Sequence, residues 1–257
     1  TAPEFDNARA ALDWTMGAGG DPSLAVELAG AWAPVGFHLG ATHEVVQRLL
    51  ALRPHLAAAA PALRATLLLY LGGYGRQAGL SLAELRDIKE QTAREARASG
   101  DAWLRIRALS QLAWARATEG DIVGAEALTG EMQQLMPADA PAFMHVPLAN
   151  ARARVLEYQG RDDDAIHCLQ ALRERLAAES PGEDVNRAMC EWNLCLHLLG
   201  AQRYEAALDI ARPLASAAQA PAQYRISSRY LVVHALAALG RGEAALDEAR
   251  AHRRELE

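Results

Sequence analysis

Apolar residues recur at helical spacing, positions i, i+3, i+4 and i+7, almost from one end of the chain to the other. The pattern breaks about every 20 residues at clusters of Gly, Pro, Asp and Ser. The spacing predicts helices over residues 4–18, 23–39, 42–53, 61–78, 82–98, 102–119, 121–136, 142–159, 162–178, 183–199, 203–217, 222–239 and 241–256. No stretch alternates apolar and polar positions as a half-buried strand would. Three predicted starts carry a side chain able to accept bonds from unpaired first-turn N–H groups: Asp21 before Pro22, Ser81, and Asp101 after Gly100. The expected fold class is all-α.

The punctuation is itself periodic. Gly120, Gly160, Gly200 and Gly240 stand 40 residues apart, and Gly40 and Gly79 precede them nearly in phase. Each interval holds two helices of about 16 residues, each about 24 Å long at 1.5 Å per residue, and two short turns. A hairpin of this size cannot bury its apolar face alone. Stacking on its neighbours does so, which predicts an α-solenoid in which each hairpin touches mainly the next.

Inside each interval the pattern resembles the tetratricopeptide repeat (TPR). Leu112 and Ala113 precede Gly120, followed by Ala125 and Pro137; the next unit has Ala153, Gly160 and Ala165, and the last has Val233, Gly240 and Ala245. "RYEAAL", with Tyr204 and Ala207, matches but slips two residues relative to Gly200, so that either the turn is longer or the helix before it is extended. The resemblance implies a right-handed solenoid. Ordinary TPRs recur at about 34 residues, so a 40-residue period implies longer helices. The beginning of the chain, "EFDNARAALDWTMGAGG", resembles the segment that opens the TPR region of bacterial ATPase-containing (STAND-type) transcriptional regulators, the maltose-activator type among them. Glu4, Asn7, Arg9, Ala10, Ala11, Leu12 and Trp14 match, while Ala8 replaces the usual Leu; Gly40, Glu44 and Leu49 match a second stretch in which Val45 replaces Gly. This likeness covers residues 1–55 of one TPR-like domain spanning 1–257. It implies that an ATPase domain and an output domain such as a winged helix precede Thr1 in a larger protein. In the opening helix Ala8, Ala11, Leu12 and Met16 form the expected packing stripe, leaving Asn7 and Arg9 to face either a preceding domain or solvent.

Composition narrows the function classes. Apolar residues make up 51% of the chain but aromatics only 5%, a core of Ala, Leu and Val that suits closely approaching helices. The formal charge of −6 gives no basic footprint for direct nucleic-acid contact. All but one of the 26 basic residues are arginine; Lys89 is the exception. A lysine-based carboxylate clamp of the chaperone-adaptor kind is therefore not available. Three cysteines, Cys168, Cys190 and Cys195, have no metal-ligand spacing and fit a reducing compartment. Neither a transmembrane span nor a signal pattern is present, so a cytoplasmic location without membrane contact is expected.

No catalytic constellation emerges. "YLGGYGRQAG" lacks the Lys-Ser/Thr of a phosphate loop and follows no strand, and Leu71, Gly72 and Gly79 fall on repeat positions instead. Gly73 and Gly75 remain as excess helix glycines, marking a bend or close packing. Asp162–Asp164 open a helix, where they complement its dipole. No cofactor, metal site or enzymatic activity is expected. The TPR frame places Arg107, Ser110 and Trp114, then Asn150, Arg154, Glu157 and Tyr158, then Met189, Trp192 and Leu196, then Ser227, Tyr230 and His234 on the concave side. Of these, Arg107, Trp114, Asn150, Arg154, Tyr158, Trp192, Tyr230 and His234 are the candidate ligand-binding residues, through stacking and bidentate hydrogen bonds. The expected function is a regulatory sensor that binds a protein, peptide or small-molecule effector. The alternative is a standalone TPR scaffold.

Overall fold

The computed structural model describes residues 2–179 and 184–256; residue 183, where one helix is expected to begin, lies outside them. Among the described residues there are thirteen α-helices and no strand. They are α1 (Ala2–Met16), α2 (Pro22–His38), α3 (Thr42–Leu52), α4 (Pro61–Tyr74), α5 (Leu82–Ser99), α6 (Ala102–Thr118), α7 (Ile122–Leu135), α8 (Val146–Tyr158), α9 (Asp162–Glu179), α10 (Asp184–Gly200), α11 (Tyr204–Ser216), α12 (Ala222–Ala238) and α13 (Gly242–Leu256). Short 3₁₀ turns follow α3 and α4 and precede α8. No helix among the described residues is long and apolar enough to cross a membrane. Two compact units divide the chain, residues 1–115 and 116–257, with the boundary inside α6.

The three helix starts read as capped from the sequence are capped by side chains. Asp21 accepts from the Ser23 and Leu24 N–H groups, and Asp101 from that of Leu104. Ser81 and Glu84 form a reciprocal capping box. Five turns that follow helices share one closure. Gly40, Gly79, Gly120, Gly160 and Gly240 adopt φ between 73° and 87°, the left-handed region that only glycine enters without strain. In each case the residue after the glycine donates its N–H to the carbonyl five positions before itself, as in Ala41 to Gly36, Asp121 to Arg116, Arg161 to Leu156 and Arg241 to Leu236, at 2.9 Å. This is the Schellman closure. After α10 the closure shifts. The helix runs through Gly200, Gln202 takes the left-handed conformation (φ 58°), and Arg203 donates to Leu198 at 2.8 Å. The two-residue slip at "RYEAAL" is thus an extension of the preceding helix.

Side-chain pairs fix helix directions. In the first unit, Arg9 meets Glu44 and Asp13 meets Arg48, the same 35-residue offset twice, so α1 and α3 run parallel. Glu44 accepts two bonds from Arg9 (2.7 and 2.9 Å) and one from Arg48, while the two guanidiniums lie over the rings of Phe5 and Trp32. Arg9, which the sequence left facing either solvent or a neighbouring domain, ties α1 to α3. The buried stripe of α1 is Phe5, Leu12 and Thr15, with Ala8 and Ala11 half-buried; Met16, expected within it, is the last residue of the helix and is exposed, the stripe ending before it. Trp14 is 71% exposed. Gly72 and Gly73 mark close packing: a Cβ on either would lie about 3 Å from the Gln111 amide, whose nitrogen donates to the Leu69 carbonyl. Gly75 marks the bend, where α4 gives way to 3₁₀ geometry.

In the second unit α8 packs on α7 and α9, α10 on α9 and α11, and α12 on α11 and α13, while α8, α10 and α12 touch one another in turn. Gln159 bonds Glu126, and Arg152 bonds Gln133, so α7 and α8 are antiparallel. The repeat-frame residues Ala125, Ala153, Ala165, Ala207 and Ala245 are buried, and Val233 is half-buried. Small side chains there let the helices approach closely. Two turns are stapled to an earlier helix start: Arg203 pairs with Asp163 at the start of α9, and Arg241 with Glu205 at the start of α11.

Candidate functional site

Helices α8, α10 and α12 of the second unit carry six of the eight predicted residues. Asn150, Arg154 and Tyr158 follow one another at four-residue spacing on α8 and so share a face. Tyr158 is 44% exposed, Tyr230 67%, and His234 is exposed; Asn150, Arg154 and Trp192 are half-buried. The Tyr230 and His234 rings lie 6.4 Å apart on α12, and Trp192 of α10 lies 6.4 Å from Tyr224 of α12. Arg107 and Trp114 lie on α6 within the first unit. Arg107 is half-buried; Trp114 is partly exposed, with the Lys89 ammonium 5.1 Å from its ring centre.

Between α8 and α10 lies a polar cluster. Arg154 Nη1 donates to Glu157 Oε2 at 2.6 Å, and His197 Nδ1 stands 3.4 Å from the same oxygen. Burial, with Arg154 adding to it, pushes the His197 pKa down to about 4, so at neutral pH the imidazole is uncharged. Burial also raises Glu157; Asp162 adds to the rise and Arg154 opposes it. Two further buried atoms, Asn150 Oδ1 and Trp192 Nε1, have no hydrogen-bond partner among the described residues. Buried polar atoms are normally paired, and these two leave hydrogen-bonding capacity unmet beneath this face.

The repeat frame puts Glu157 on this face but does not single out His197. The overlooked signal is their separation of 40 residues, which brings equivalent positions of parallel helices together. The cysteines are structural: Cys190 and Cys195 donate to the Leu169 and Ala207 carbonyls, and burial pushes both thiols up to about 12. No nucleophile is activated there. The arrangement can stack, hydrogen-bond and discriminate charge.

The molecule so defined is an all-α protein built from successive packed helices. No family model matches the chain, and no curated protein does. Among solved structures it is similar to the crystal structure of BtubC (BKLC) from P. vanneervenii, with a TM-score of 0.50 over 85% of this chain and 91% of that one. At 18% identity the likeness is one of fold.

Proposed function

We propose that this chain is a right-handed α-solenoid of TPR-like hairpins acting as the non-catalytic sensor region of a multidomain ATPase transcriptional regulator. It binds a peptide, protein or small-molecule effector on the face formed by α8, α10 and α12. The observation that carries the reading is the row of partly exposed aromatic and polar side chains on those helices, Tyr158, Trp192, Tyr230 and His234, beside two buried polar atoms without partners. The recurring Schellman turns support the repeat architecture. An effector acts in this scheme only through unequal affinity for two arrangements of the helices. The regulator context rests on the resemblance of residues 1–55.

The reading frame upstream of Thr1 tests that context: a P-loop ATPase supports the regulator, whereas a start codon within a few residues gives the standalone scaffold. In the regulator, Tyr158→Ala combined with Tyr230→Ala should abolish effector-dependent transcription of a reporter while leaving the melting temperature within about 2 °C, since both side chains are exposed. An unchanged effector response removes this face from the mechanism.

A further inference from the structure

The second unit also contains a cleft on the opposite side of α8. Residues 150, 154, 157 and 158 share one face of that helix; residues 152, 155, 156 and 159 lie roughly half a turn around at 3.6 residues per turn. These last four form the floor of a cavity of about 610 Å³ walled by α7 and α9, within the size range of small-ligand sites. Val155 and Leu156 give the floor an apolar centre, and Cys168 and His167 line the α9 wall.

The two ends of the cleft differ in charge. At one end Glu126 accepts from the Gln159 amide at 2.7 Å, and Asp164 is neutralised by Arg161 at 2.6 Å, so the uncompensated charge is the Glu126 carboxylate. At the other end stands Arg152. Its one hydrogen bond is a long one, 3.4 Å, to the neutral amide of Gln133, and it forms no ion pair among the described residues. Glu126 and Gln133 are seven residues apart on α7, about 10 Å at 1.5 Å per residue. Arg161, Arg173, Arg175, Arg203 and Arg241 of this unit are each paired with a carboxylate, whereas Arg152 keeps a guanidinium without one at the edge of an apolar-floored cleft.

We propose that this cleft binds a short zwitterionic peptide, its carboxylate on Arg152, its ammonium toward Glu126 and an apolar side chain on Val155 and Leu156. An extended chain covers about 3.3–3.6 Å per residue, so a tripeptide with free ends matches the span. A guanidinium fits a carboxylate through two parallel bonds, and a ligand with an anion at both ends is refused by Glu126. The site is separate from the face proposed above.

Titration calorimetry of the 257-residue protein with Ala-Leu-Ala tests it. Saturable 1:1 binding is expected, weakened about tenfold or more by Arg152→Gln or by amidating the peptide's carboxylate, and weakened by Glu126→Gln only when the peptide amine is free. Bound peptide should slow alkylation of Cys168, and Tyr158→Ala with Tyr230→Ala should leave affinity unchanged. Arg152 is exposed, so its variant should melt like the parent and a loss of binding reads the site itself. Absence of binding at millimolar peptide, affinity in Arg152→Gln within about twofold of the parent, or loss of binding in the double tyrosine variant overturns the proposal.

Discussion

His197 is only 4% exposed and faces Glu157 and Arg154. Its depressed pKa means that the native state favours the neutral ring. The associated stability is fully present above about 6.5 and is lost as pH falls toward 4. At 1.36 kcal/mol per pKa unit the loss is on the order of 3 kcal/mol, reduced because the raised Glu157 value makes its protonation favour the native state. The parent's melting-temperature advantage over His197→Gln should therefore shrink between pH 7 and 4; a pH-independent gap would refute the assignment. Glu44 behaves in the ordinary carboxylate sense. Burial pushes its pKa up, but hydrogen bonds from Arg9 and Arg48 outweigh this and the net shift is down. In urea unfolding Glu44→Gln should be less stable than the parent at pH 7, with the gap closing as pH drops through and below 4. Neither role was legible from local sequence. Arg9 reads as facing either a preceding domain or solvent until the 35-residue offset to Glu44 is known, and His197 looks isolated because its partners lie 40 and 43 positions away.

At the level of the helices, the glycines were the most readable feature, because a left-handed cap is a demand of the backbone itself. Spacing alone misplaced one of them. Gly200 is helical, with room for a β-carbon whose nearest neighbour, Glu157 Oε1, would lie at 3.4 Å, and the left-handed position falls on Gln202. Three substitutions should consequently separate the two kinds of position in thermal or chemical unfolding. Gly160→Ala should cost about 1–2 kcal/mol, Gly200→Ala should be neutral or stabilise by up to about 1 kcal/mol, and Gln202→Gly should stabilise modestly. The capping residues Asp21, Ser81 and Asp101 were equally plain, each standing just before an apolar-periodic run. Met16 was misassigned because helical spacing fixes which residues share a face without fixing where a stripe ends.

For the molecule as a whole, each unit is held by contacts between helices close in sequence. Stability should then be distributed along the chain. Removing α12 and α13 should leave the remaining helices folded, with a smaller denaturant dependence in proportion to the surface lost; complete unfolding on truncation would identify a single indivisible core instead. The candidate face was legible to the extent that the repeat frame placed Asn150, Arg154, Tyr158, Trp192, Tyr230 and His234 on alternate helices, none of them fully buried. The cleft behind α8 was not, because its residues come from three helices with no motif in common.

Lys89 bears on how this protein can be marked. It is the sole lysine of the chain, 8% exposed, with its ammonium against Trp114. Acetylation, ubiquitin attachment and amine-directed cross-linking all require a primary amine at the surface, and no lysine within these residues offers one freely. Any turnover or signalling that works through lysine modification must use acceptors elsewhere.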